Sequence, residues 1–173
     1  MKPMTVISLV PLLATTMFFC GCKSGTEQVG NTGKGQPYYY VFTDRSDPIL
    51  EYVFVLKDGE MFAQVANFPG YEDRTYYQMR ELPAELQRQI AKWIERKADV
   101  TPPLVPSGPN FSVTQVPLTR SGIAETRYFK SDNQDIKAFL RDLRTDVVIE
   151  RHKVSEPPEW VMRDQRIRMH LGL

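Results

Sequence analysis

The chain has 173 residues, 42% hydrophobic and 25% charged, which is the composition of one soluble globular domain with a modest core. Its 22 basic and 21 acidic residues give a formal net charge of +1, so no long-range field would collect nucleic acid. Both cysteines, Cys20 and Cys22, lie near the N-terminus, which excludes a disulfide framework and a thiolate metal site from the folded part.

The N-terminus carries the pattern of an export signal. Lys2 supplies a basic start, and from Val6 to Phe19 the chain reads VISLVPLLATTMFF. This run of 14 residues is too short to cross a bilayer, which needs about 20 apolar residues, and it is typical of the apolar region of a signal peptide.

The residues that follow indicate which kind of signal peptide this is. Phe19-Cys20-Gly21-Cys22 resembles the lipobox of bacterial lipoproteins, although Phe19 replaces the usual Leu and Cys20 the usual Ala or Ser. The resemblance implies cleavage before Cys22 and acyl chains on that residue, and several chains give stable anchoring. Residue 24 is Ser rather than Asp, which resembles lipoproteins that pass to the outer membrane of Gram-negative cells and face the periplasm. The alternative is an ordinary cleaved signal peptide that ends near Cys20 or Cys22.

Composition divides the chain into four parts. Residues 1–21 form the signal peptide, and residues 22–36 comprise the lipidated cysteine and a Gly-rich polar stretch that predicts a flexible linker. Residues 37–149 form the folded domain, and residues 150–173 form a tail. Within the tail, the run WVMRDQRIRMHL predicts a terminal helix. Arg163, Arg166 and Arg168 in that helix could face a phospholipid surface, an acidic partner or solvent alone.

The first half of the domain predicts strands. Tyr38 to Phe42 is aromatic and β-branched, and residues 51–57 and 60–66 flank Asp58-Gly59, a strong hairpin signal. Both faces of the first hairpin strand are apolar, which predicts that it is covered on each side. Residues 75–80 predict one further strand.

Helical spacing then alternates with a second hairpin. One apolar stripe starts after Pro83, a hairpin is predicted from residues 111–116 and 123–130, and a second stripe follows a capping box at Ser131 and Gln134. Residues 147–149 predict a last short strand. The sequence therefore predicts an α+β fold, an antiparallel sheet with two helices packed on one face in a ββα-ββα-like order. The stripes comprise Leu86, Ile90, Trp93 and Ile94, and Ile136, Phe139, Leu140 and Leu143.

No pattern in the sequence predicts a catalytic, cofactor or metal site. His152 and His170 have no second ligand at helical or turn spacing. The pairs Asp44 with Asp47 and Asp132 with Asp135 are explained by turn and helix-cap roles. Hydrolysis by two carboxylates that are distant in sequence stays open.

The favoured function is that of a membrane-anchored, non-enzymatic module that binds a protein of the cell envelope. Tyr71, Tyr76 and Tyr77 are the candidate partner contacts, because tyrosine brings a large contact area, with a plain sheet face as the alternative. The sheet face or the loop 67–82 would meet the partner. The rival functions are a small envelope hydrolase that uses scattered carboxylates and a structural spacer.

Overall fold

A computed structural model describes residues 38–67, 70, 73–97, 111–119, 122–130 and 133–173. Seven strands form one antiparallel sheet in the order β6-β5-β1-β2-β3-β4-β7. The predicted α+β class is confirmed. The strands are β1 (Tyr38–Asp44), β2 (Leu50–Lys57), β3 (Glu60–Asn67), β4 (Arg74–Met79), β5 (Phe111–Pro117), β6 (Glu125–Phe129) and β7 (Lys153–Val154).

The β2–β3 hairpin turns where the sequence predicts it. Asp58 has φ 51° and Gly59 has φ 82°, the left-handed conformation that a tight hairpin turn requires at both positions. The register then pairs Lys57 with Glu60 and continues to Leu50 with Asn67. β1 and β4 flank this hairpin, so it is central in the sheet, and its apolar residues are buried on both faces, as predicted.

Two helices cover one face of the sheet. Helices α1 (Ala84–Glu95) and α2 (Gln134–Val147) bury their predicted stripes against it, with only Ile94 partly exposed. The centre of this helix-side core is an aromatic cluster in which Trp93 packs within 6 Å of Phe111, Phe129 and Phe139. Truncating a large buried aromatic residue to alanine costs about 3–5 kcal/mol, so this cluster is a main source of stability.

Three local predictions are corrected. Helix α2 is capped by Asn133, whose side chain accepts a hydrogen bond from Asp135 N, instead of the predicted capping box; Ser131 lies outside the described residues. The strand predicted at 147–149 is wrong, because Val147 extends the helical stripe one turn beyond Leu143 and is buried with it. The ββα-ββα-like order is not confirmed: the four strands predicted before the first helix are present, but β1 and β4 are additional to a ββα unit, and only two strands precede α2.

The tail covers the opposite face. After a short 3₁₀ turn, β7 pairs with the edge of β4, and helices α3 (Glu159–Arg163) and α4 (Gln165–Leu171) lie over the sheet. The tail is helical, but Asp164 separates two helices where the sequence predicted one. We call the resulting cluster the tail-side core: Tyr39, Val41, Val53, Val55, Phe62, Val116, Val161, Ile167 and Leu171.

Polar contacts fix the end of the tail. Gln64, a buried residue of β3, donates a hydrogen bond of 2.9 Å to Leu171 O, and Arg74 donates one of 2.8 Å to Gly172 O. Gly172 has φ 64° and ends α4 in the left-handed conformation that glycine adopts freely. Two carbonyl groups at the C-terminal end of α4 thereby gain partners on the sheet, which holds the helix against it.

Candidate functional site

The short helix α3 places an indole ring over the end of the sheet. Pro158 precedes the helix, and Val161 points inward to the tail-side core. Trp160 is half-buried and meets Phe62 edge to face, with ring centroids 6.4 Å apart. The ring is therefore fixed by packing while part of it stays accessible.

An open groove of about 840 Å³ lies beside this ring, between the tail and two strand ends. It combines segments that are distant in sequence, because the ends of β2 and β5 meet the tail here. Its shape is shallow, so a ligand would lie along it and remain in contact with solvent. The groove is lined by Lys57, Leu118, Glu159, Trp160, Arg163, Asp164, Gln165 and Arg166.

Arg166 joins the tail to the β5–β6 hairpin. Its Nη1 donates a hydrogen bond of 2.6 Å to Pro117 O and a weaker one of 3.4 Å to Thr119 O. Its guanidinium also lies 5.8 Å from the ring centroid of Tyr39, and it forms an ion pair of 3.3 Å with Asp164. The wall of the groove is thus a cross-link between two parts of the fold.

Charge in the floor of the groove is compensated. Burial alone would raise the pKa of Asp164, but hydrogen bonds from the Arg166 side chain and backbone N–H outweigh it and lower that pKa below its ordinary value. Burial, with the nearby Asp164 charge, raises the pKa of the Tyr39 hydroxyl, which Arg166 lowers by a smaller amount. Asp164 is therefore a stable carboxylate and Tyr39 a neutral phenol.

The outer wall of the groove is cationic. Glu159 is bound by Arg163 one helical turn later, so both groove carboxylates have an arginine partner. The Lys57 ammonium lies 5.7 Å from the Trp160 ring centroid, and no carboxylate of the described residues pairs with it. Two carboxylates that are each held by an arginine are poorly placed for proton transfer, whereas an ammonium beside an indole can bind an anion and an apolar group together.

The remaining acids of interest serve the fold. Asp44 is buried and accepts hydrogen bonds from Ser46 N and from the Arg144 guanidinium of α2. Asp47 accepts hydrogen bonds from Ile49 N and Leu50 N, which lower the pKa of its carboxyl group. These are the turn roles that the sequence predicts; Asp132 lies outside the described residues.

Two of the three candidate contact tyrosines, Tyr76 and Tyr77, lie on β4. Tyr76 stacks on Phe62 on the tail side, with ring centroids 5.9 Å apart, and Tyr77 packs against the helix-side core. Both are half-buried, and Tyr71 lies outside the described residues. Adjacent strand residues point to opposite faces, so Tyr76 and Tyr77 do not form one patch.

The histidines lie apart from the groove. His152 accepts a hydrogen bond of 3.2 Å from Arg151 Nε. Partial desolvation lowers the pKa of His170, which favours the neutral imidazole. Within the ranges that the structure describes, no three His, Cys, Asp or Glu residues come close enough together to hold a metal ion.

No helix of the described ranges has the length and apolar character needed to span a bilayer. No protein-family model, curated protein or solved structure matches the chain.

Proposed function

We propose that the chain is a lipoprotein of the bacterial cell envelope, anchored through acyl chains on Cys22, whose domain binds an envelope protein without catalysis. The observation that carries the binding role is the shallow groove, in which both carboxylates are neutralised by arginine while Lys57 and Trp160 line its open side. Both sheet faces are covered, so the groove replaces the sheet face as the contact surface.

The groove favours a particular kind of partner. Lys57 supplies positive charge at its rim, and the Arg163 guanidinium there is paired with Glu159. Trp160 and Leu118 supply apolar surface next to them. This combination suits an acidic peptide segment that carries an apolar side chain. Arg163 is exposed, so its effect on binding is mainly electrostatic and weakens with salt.

The anchor is tested by intact mass and N-terminal mapping of the full-length chain expressed in a bacterial host. We expect the mature protein to begin at Cys22 and to carry the mass of its acyl chains, and a Cys22→Ser variant to lack both. A mature protein that begins elsewhere, or a Cys22 without acyl mass, would remove the anchor from the proposal.

The binding role is tested by photo-crosslinking in intact envelopes. Benzoylphenylalanine replaces Gln165, which is exposed in the groove, or Gln134, which is exposed at the start of α2. We expect discrete protein adducts at 165 only, and their loss with Arg163→Glu. Equal adducts at both positions, or adducts that Arg163→Glu leaves unchanged, would contradict binding at the groove.

The rival hydrolase makes a different prediction for the same residues. A hydrolase that uses the groove acids would lose turnover of envelope glycan or peptide with Glu159→Gln or Asp164→Asn. Such a loss, with unchanged folding, would favour catalysis over binding.

A further inference from the structure

We propose that the tip of the β5–β6 hairpin inserts Ile123 into the lipid interface of the membrane that holds the anchor. This inference rests on the proposed lipidation of Cys22 and names a second contact, with lipid, beyond the protein-binding groove. It is carried by the direction in which β1 enters the sheet and by the exposure of one apolar residue.

The register places the hairpin tip where the anchored segment enters the domain. Tyr38, the first residue of β1, pairs with Pro117, the last residue of β5. We call this the tether end of the sheet. The β2–β3 turn that follows Lys57 lies at the same end, since Leu56 pairs with Tyr40.

The anchored cysteine is close to this end along the chain. Fifteen residues, 23–37, separate Cys22 from β1. Even fully extended they span at most roughly 50 Å, so the tether end stays within that distance of the anchored cysteine. A second, weak contact with lipid then becomes effective, because the tether holds the domain at a high local concentration near the membrane surface.

Ile123 follows a glycine that packs against the end of β5. Its side chain is 90% exposed, the highest value among the exposed large apolar residues in the described ranges. Gly122 N donates a hydrogen bond to Thr119 O, and a Cβ at Gly122 would lie 2.4 Å from Pro117 Cβ, so Gly122 lies close against the end of the strand. An isoleucine held outward in this way gains free energy when it enters an apolar phase.

The neighbouring residues suit the lipid interface. Leu118 is also exposed, on the other side of the same connection. Lys57 and the half-buried Trp160 line the adjacent groove, and lysine and tryptophan are favoured at the level of lipid headgroups. Apolar tip and flanking amphipathic residues thus share one end of the sheet.

A matched control lies at the opposite end. Ile49 is 64% exposed in the β1–β2 connection, beyond the end where Asp44 pairs with Tyr52. One strand length, roughly 20 Å, separates it from the tether end. Benzoylphenylalanine at 123 or at 49 in the full-length chain therefore probes two exposed sites of the same residue type.

The experiment is irradiation of native membranes, followed by mass analysis of the peptide that contains the probe and of the N-terminal peptide. We expect phospholipid adducts at 123, several-fold more than at 49, together with an acylated Cys22. An acylated Cys22 with no adduct at 123, or with equal adducts at both sites, would overturn the membrane contact and leave the anchor standing. A Cys22 without acyl chains would overturn both.

Discussion

The buried ion pair at the end opposite the tether offers a direct test of whether Asp44 serves structure or chemistry. The Asp44 side chain is 0% exposed. Arg144 Nε donates a hydrogen bond of 3.0 Å to Asp44 Oδ2, and Arg144 Nη2 donates to the same oxygen. Arg144 is 29% exposed and lies 4.4 Å from the ring centroid of Tyr52. The cation is thus shared between the carboxylate and the ring.

Arg144→Met should destabilise the domain, because it leaves the Asp44 carboxylate buried without its cation. Breaking a buried pair costs about 3–5 kcal/mol, and the partial exposure of Arg144 places this site near 3 kcal/mol. Asp44→Asn retains an acceptor for Ser46 N and leaves a cation that can turn to solvent, so we expect about 1–2 kcal/mol. The double variant should lose less than the sum by about 1 kcal/mol or more.

The assay is urea unfolding at neutral pH, followed by circular dichroism. The unfolding free energies of the parent and the three variants are compared once the slopes of free energy against urea concentration are shown to be equal. Additive losses, or single variants as stable as the parent, would refute a structural ion pair. A more stable Asp44→Asn variant would have a further meaning. Active-site residues are often held at a cost in stability, so that outcome would revive the hydrolase alternative.

Three further predictions concern the tail, acid stability and the hairpin turn. Ile167→Ala should lower the free energy of unfolding in urea by about 2–4 kcal/mol, because Ile167 is buried in the tail-side core. Met169, whose side chain is 66% exposed, is the control, and Met169→Ala should change stability by less than about 0.5 kcal/mol. Equal losses would show that the tail does not pack there. The pKa of Asp164 is lowered in the folded state, so its contribution to stability is complete above the ordinary carboxyl pKa and is lost as the pH falls through its folded-state pKa. Asp164→Asn should therefore flatten the decrease in the thermal unfolding midpoint below about pH 4. An unchanged pH profile of the midpoint would contradict this. Gly59→Ala, at φ 82°, should lower stability by about 1 kcal/mol in thermal unfolding, and an unchanged midpoint would exclude the left-handed turn.

The sequence predicts the elements whose signals are local. Asp58-Gly59 defines a turn because both residues tolerate positive φ. Alternation on β2 places Phe54 and Val55 on opposite faces, which the structure shows to be the helix side and the tail side. The helical stripe ending at Trp93 is continuous, so it identifies the buried side of α1.

The groove could not be predicted because its members meet only through long-range packing. Lys57 and Leu118 are 61 residues apart in the chain, and no local pattern pairs β1 with β5 to bring their strands together. One signal pointed to the tail. The apolar tail-side face of β2 needs a cover, and Val161, Ile167 and Leu171 were the apolar residues left to supply it. These three residues do not follow the spacing of one helical stripe, since they lie on two helices that Asp164 separates.

The role of Arg166 links the groove to the hairpin tip. Its hydrogen bond to Pro117 O fixes the base of the hairpin, while its ion pair with Asp164 lies at the start of α4. Because α4 is buried through Ile167 in the tail-side core, displacing the hairpin would also disturb the packing of the tail. The groove and the base of the hairpin are therefore linked through Arg166. If the tip contacts lipid, the groove is held next to the membrane surface, where it would meet segments of envelope proteins that lie close to the bilayer.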